Sequence, residues 1–165
     1  MLKDNFNTTD MPTTAGSIAL KGWVPPKDAF VTKRIRESGA IILAKTNLHE
    51  FAIWGESISS ILGQSVIIGR GTDTINSRRS PASASSLVGI RPTIGLVSRA
   101  GIVPYSLTQD TAGPICRTVE DAARCLDVIA GYDPDDDETA WSIGHQPNSY
   151  LKFLNPEGLK GKRIG

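Results

Sequence analysis

The sequence predicts an α/β fold. Two stretches carry that expectation. Residues 28–44 read as a helix that runs directly into a short apolar strand, and residues 118–131 read as a capped amphipathic helix. A helix feeding a strand of buried character is the repeating unit of α/β proteins.

Taken in order, residues 1–5 open the chain with Lys3, and a lysine so near a terminus is ordinarily a solvated charge. Residues 8–22 pass from polar to apolar through the small residues Thr14, Ala15, Gly16 and Ser17. Pro25 and Pro26 stop regular structure. Asp28 is a good N-cap for the helix that follows, and Gly39 is placed to end it. Residues 40–44, AIILA, form an apolar run of strand length that predicts burial on both faces. KTNLHEFAIW follows. Residues 66–68 predict a minimal strand. Gly69-Arg70-Gly71 resembles the start of a phosphate-binding glycine fingerprint, but a third glycine and a following helical pattern are absent, which argues against a nucleotide site. Residues 86–90 and 94–97 read as strands on either side of Pro92. In the helix 118–130, Thr118 and Asp121 form a capping pattern. Val119, Ala122, Ala123, Leu126, Ile129 and Ala130 make one apolar stripe, opposite Glu120, Arg124 and Asp127. The acidic run 133–138 has Glu138 and Gly144 where a calcium loop needs a glycine and a bidentate carboxylate, so it reads as an exposed loop.

Composition narrows the function classes. The 165 residues are enough for one domain with a core, and the 39% apolar and 21% charged content is that of a soluble globular protein. A net charge of +1 gives no reason to expect nucleic acid or an anionic membrane as partner. No apolar run approaches a membrane span, and the N-terminal residues lack the apolar core of a secretory signal. Cys116 and Cys125 read as reduced thiols of a cytoplasmic protein.

The stretch that carries chemistry is residues 71–93, GTDTINSRRSPASASSLVGIRPT. It opens on a tight-turn composition and presents Ser77 at the end of that turn. A serine beside backbone N–H groups free of regular pairing suits acyl transfer: the hydroxyl attacks a carbonyl and the N–H groups receive the resulting oxyanion. The same residues also suit a polar loop between two strands. A Ser-His-Asp triad would draw on His49 with Asp73 or Asp110, but nothing in the spacing supports it, and His49 reads as a helix-surface histidine.

GTDTINSRRSPAS, LVGIRPTIGLVSRAGIVP and QDTAGPICRTVEDA, in that order and with Lys3-Asp4-Asn5 at the start, resemble the amidase signature family. KTNLHEF is similar to a family segment that lines the site region. The resemblance runs nearly end to end. It implies a mixed β-sheet covered by α-helices, and hydrolysis of a carboxylic amide to acid plus ammonia or amine, with a small-molecule amide as substrate and no metal or cofactor. It also implies the roles. Ser77 matches the nucleophile, and Lys3 matches a lysine that is neutral at rest and accepts the proton. The backbone N–H groups of Thr74, Ile75 and Asn76 match the oxyanion hole. Asp73 and Arg78 match residues that shape the turn, and Asp110, Gly113, Pro114 and Arg117 match a segment behind the site. Lys3 and Ser77 are then expected to face one cavity.

The chain departs from the family pattern twice. Ile75-Asn76 stands where the family commonly has two glycines, and a β-branched residue adopts positive φ poorly. Between Gln64 and Gly71 the family carries a glycine- and serine-rich loop, a helix and part of a strand, and that loop supplies a second serine that relays the proton. Only residues 65–70 stand there; Ser65 lacks the flanking glycines, and no residue matches the relay serine. The expectation is thus a partial amidase domain over residues 1–165, lacking flanking parts as well as this segment, with a catalytically inactive product as the rival to an amidase.

Overall fold

The computed structural model describes residues 1–53, 58–64, 71–73, 77 and 79–163. Its regular elements in chain order are β1 (Leu2–Lys3), α1 (Phe30–Glu37), β2 (Lys45–Thr46), β3 (Ile58–Ser59), β4 (Gly63–Gln64), β5 (Gly71–Asp73), α2 (Arg79–Ala84), β6 (Val88–Gly89), β7 (Thr111–Gly113), β8 (Ile115–Cys116) and α3 (Val119–Ile129). The pairing is mixed: β1 and β2 are parallel, whereas β3–β4, β5–β7 and β6–β8 are antiparallel. Helices α1 and α3 pack against each other, and α3 also lies on β6 and β8. The architecture is α/β.

The core explains the helices. Val31 and Ile35 of α1, four residues apart, meet Cys125, Leu126 and Ile129 of α3 in one buried cluster with Leu2 and Phe6. Thr118 caps α3 as expected, its side chain accepting the Asp121 N–H at 3.0 Å. The stripe is narrower than the sequence suggested. Val119 is 57% exposed because it sits at the first helical position, ahead of the packed turns. Asp127 is half-buried, since its carboxylate accepts from the Ser149 hydroxyl at 2.6 Å and the Tyr150 N–H at 2.7 Å, tying residues 149–153 to the helix.

At α1 the N-cap is Ala29, with no side-chain cap. Asp28 instead accepts the Thr9 N–H at 2.8 Å and pairs with Arg36 at 3.0 Å, so tertiary partners outcompete the local cap. Gly39, at φ +82°, does end the helix. Residues 40–44 differ most from expectation. Ile42 packs on the core, but Ile41 and Leu43 are 82% and 80% exposed, and strand pairing begins only at Lys45. Alternation sends neighbouring side chains to opposite faces, and among the described residues only the inner face is covered. Of the expected strands around Pro92, residues 88–89 pair with β8, whereas 94–97 turn away through Gly95 at φ +85°. Residues 66–68 lie outside the described residues.

The acidic run is not a free loop. Asp133 is 6% exposed and accepts the Ser98 hydroxyl at 2.5 Å. Asp136 receives the Arg99 backbone N–H at 2.7 Å and its guanidinium at 3.0–3.1 Å. Composition alone cannot see these partners, which lie 35 and 37 residues away. Burial pushes the Asp136 carboxyl up, but the Arg99 side chain and N–H outweigh it and hold it below the usual aspartate range. The folded state therefore binds this proton more weakly than the unfolded chain. Asp136 contributes stability that is complete above the unfolded aspartate pKa of about 3.9 and is lost as pH falls through the lower folded value. Urea unfolding measured from neutral to acidic pH should show a steeper loss for the wild-type chain than for Asp136→Asn. Equal slopes would remove Arg99–Asp136 from the acid response, leaving carboxyls such as Asp10 and Glu50, which are also held low.

Candidate active site

Two pieces of chain meet at the candidate site. The first is the Gly-Thr-Asp segment, expected as a tight turn and found as strand β5. Gly71, Thr72 and Asp73 pair with Gly113, Ala112 and Thr111 of β7, so the segment matched behind the site is the antiparallel partner of this strand. Asp73 is fully buried. The Arg79 and Arg91 Nε atoms lie 3.5 and 3.7 Å from its carboxylate, and the Thr111 hydroxyl donates to its carbonyl oxygen at 3.3 Å. A buried carboxylate needs such partners, and here they hold the end of β5. Arg78, matched to a residue that shapes the turn, lies outside the described residues, as do Thr74, Ile75 and Asn76, whose N–H groups were expected to form the oxyanion hole, and Ser65. Ser77 is half-buried, between the end of β5 and the start of α2.

The second piece is the lysine strand. Lys3 is only 5% exposed, which overturns the solvated-terminus expectation. It is paired in register with Thr46, while Leu2 and Asp4 donate their N–H groups to Ala44 and Thr46 at 3.1 and 3.0 Å. β1 runs beside β5, with Cα atoms within 8 Å. Lys3 and the strand that leads to Ser77 are therefore neighbours, although 74 residues separate the two side chains in sequence.

A buried polar cluster that the sequence did not reveal links β2 to the residue after β1. The Lys45 side chain, 6% exposed, donates to the Pro12 carbonyl at 2.7 Å and the Thr13 hydroxyl at 2.6 Å, and pairs with Asp4 at 3.0 Å. Burial pushes the Lys45 ammonium below the usual lysine range, against the opposing pull of Asp4. The other Asp4 oxygen accepts from the Thr14 N–H at 3.1 Å and, at short range, from the Thr14 hydroxyl. The chain then passes through Ala15 at φ +49° and Gly16 at φ +75°. A Cβ on Gly16 would meet the Leu48 carbonyl oxygen at 2.8 Å, so only glycine fits that approach. The signal in the sequence was thin: a lysine closing an apolar run, with its partner 41 residues earlier. The Ser17 and Ser60 hydroxyls hold the Glu50 carboxyl below its usual range, tying KTNLHEF to the same corner.

Two other sequence candidates, Asp110 and His49, are placed as follows. Asp110 is 4% exposed, and its carboxylate accepts the Tyr105 and Ser106 N–H groups at 2.8 and 3.0 Å, serving its own loop. His49 is half-buried at the entry to the turn Glu50–Ala52. Among the described residues no group of three or more His, Cys, Asp or Glu side chains is arranged to hold a metal ion, and no helix is long and apolar enough to cross a membrane.

Comparison with known proteins adds a second line of evidence. The Amidase family model matches residues 1–67 and 64–165, in two stretches that overlap only at residues 64–67. A probable amidase of Arabidopsis thaliana is 45% identical over 197 residues, covering 100% of this chain and 38% of that protein. A glutamyl-tRNA(Gln) amidotransferase subunit of Gloeothece citriformis is 40% identical over 189 residues, covering 99% and 38%. Both alignments are longer than the 165-residue chain, so these relatives carry residues for which it has no counterpart. Among solved structures, the peptide amidase of Stenotrophomonas maltophilia superposes with a TM-score of 0.88 at 40% identity, covering 98% of this chain and 39% of that one. An amidase family protein of Bacillus anthracis gives 0.90 at 36%, covering 98% and 38%. The chain thus spans 38% of the length of the curated relatives it matches.

Proposed function

The chain belongs to the amidase family, and on that premise we propose that its site is built for hydrolysis of a carboxylic amide through a serine acyl-enzyme. Ser77 Oγ attacks the amide carbonyl carbon and its proton passes toward Lys3. The backbone N–H groups of Thr74, Ile75 and Asn76 receive the oxyanion. The C–N bond breaks, ammonia or amine leaves with a proton, and water then attacks the acyl-serine to give the acid. The substrate is a small amide, the setting is cytoplasmic, and the chemistry needs no metal or cofactor.

The observation that supports this reading best is the burial of Lys3 on a strand running beside the Gly-Thr-Asp strand. Burial disfavours the ammonium form, which is what a lysine needs to act as a base. A second reading is favoured by the two-stretch family match. The segment that would carry the relay serine has no counterpart here, so we infer a partial amidase domain whose site is nearly inactive as it stands.

Labelling with an activated acyl or fluorophosphonate reagent tests the residue roles. One label per chain is expected on Ser77, absent in Ser77→Ala and slowed in Lys3→Met. Equal labelling of all three chains would refute both assignments.

A further inference from the structure

We propose that the outward face of residues 41–43, with the cleft beside it, is a docking surface for a polypeptide made of the amidase-domain parts outside this chain's match to its relatives. This inference rests on the partial-domain reading made above. It starts from two side chains without cover. Ile41 and Leu43 are 82% and 80% exposed, while Ile42 between them packs on the core. One exposed aliphatic side chain is ordinary, but an apolar patch on a segment of buried composition marks an interaction surface.

The patch runs into a cleft of about 240 Å³. Its lining includes the buried Leu2 and Ile35, the partly covered Ile42 and Ile115, and the exposed Met1 and Ile41. No polar or charged side chain lines it, so an ionic ligand would find no partner there and an apolar one would. Residues 40–44 lead into β2, whose one strand partner among the described residues is β1, in parallel. Parallel sheets occur almost only with both faces covered. Here the core covers the Ile42 side and leaves the Ile41 and Leu43 side bare.

The likeness to solved amidases points to the occupant. The superposition on the Stenotrophomonas maltophilia peptide amidase takes in 98% of this chain but only 39% of that one. This chain therefore has the conformation of a region that, in that protein, is less than half of a larger fold. A region shaped within a larger fold carries surfaces made to pack on the remainder, and the uncovered apolar face of residues 41–43 is such a surface. A second copy of this chain could also bury the patch, and the two occupants give different results on dilution.

The test expresses the full chain alone and together with a second polypeptide, the parts of the Stenotrophomonas maltophilia peptide amidase outside the match. Alkylation by iodoacetamide at Ile41→Cys or Leu43→Cys is followed by peptide mass spectrometry. Both positions should react freely in the chain alone, and about tenfold or more slowly once the second polypeptide is bound. Replacing Ile41 and Leu43 together by aspartate should abolish co-purification and leave the circular dichroism of the chain alone unchanged, because neither side chain is buried in it. Ile41→Val should retain co-purification. Equal alkylation rates with and without the second polypeptide, or undiminished co-purification of the aspartate variant, would overturn the proposal. Alkylation of the chain alone that slows as its concentration rises would overturn it in favour of a second copy. If the two polypeptides do not co-purify, the same cysteines are read in one chain in which residues 1–165 replace the matched region of that amidase, and rates equal to those of the chain alone overturn the proposal. Failure of the partial-domain reading shows separately, as Ser77-dependent amide turnover by the chain alone.

Discussion

Amide turnover by this chain is expected to be slower, on the order of 10⁴-fold, than turnover by the same chain with a glycine- and serine-rich family segment restored between Gln64 and Gly71. Serine, relay and lysine in such a site act as a unit, so loss of one member forfeits most of what all of them supply. Without the relay, Ser77 keeps its proton and is a weak nucleophile. Both chains would be made with the family's flanking regions, so that the comparison isolates the one segment. Ammonia release from simple amides is the readout, with Ser77→Ala as blank in each. The residual activity should be that of an oxyanion hole alone. Comparable Ser77-dependent turnover by both chains would show that the proton finds another route, and Lys3 would then have to be reached through water or a hydroxyl already present.

Replacing Leu126 by alanine is expected to destabilise the chain by about 2–5 kcal/mol. Leu126 is 5% exposed at the contact of α3 with α1, among Val31, Ile35 and Ile129. Truncation removes its transfer free energy and leaves a cavity that two packed helices close only in part. Urea unfolding followed by circular dichroism would read the loss as a lower midpoint at unchanged slope. A change below about 1 kcal/mol would mean that the α1–α3 contact adjusts freely, unlike a close-packed core. Because α3 also holds residues 149–153 through Asp127, the same variant should loosen that segment.

The parts of this protein that were legible in its sequence are those set by local physics. The α3 helix is capped by its own Thr118 and ended near Gly131, and its period of apolar residues is complete within 13 residues, so no distant partner was needed to see it. The Gly-Thr-Asp segment is a different case: glycine and aspartate suggested a tight turn there, and pairing with Thr111–Gly113 makes it a strand instead.

What only the tertiary structure decided depends on partners far away in sequence. Position near a terminus made Lys3 look like a solvated charge, and only its resemblance to a family lysine pointed the other way; in the fold it pairs with Thr46, 43 residues later, and is buried. Asp28 read as a helix cap, but Thr9 and Arg36 take its oxygens. The acidic run read as an exposed loop, and Pro134, Asp135, Asp137 and Glu138 are exposed, but Ser98 and Arg99 hold Asp133 and Asp136 inward. Residues 40–44 read as a strand buried on both faces, and their outward side chains are exposed. Residue types give the cost of burying a group, but whether the fold meets that cost depends on which groups long-range pairing brings beside it. Composition could report that Asp4 and Lys45 carry charge. Only the parallel pairing of β1 with β2 put those charges 3.0 Å apart.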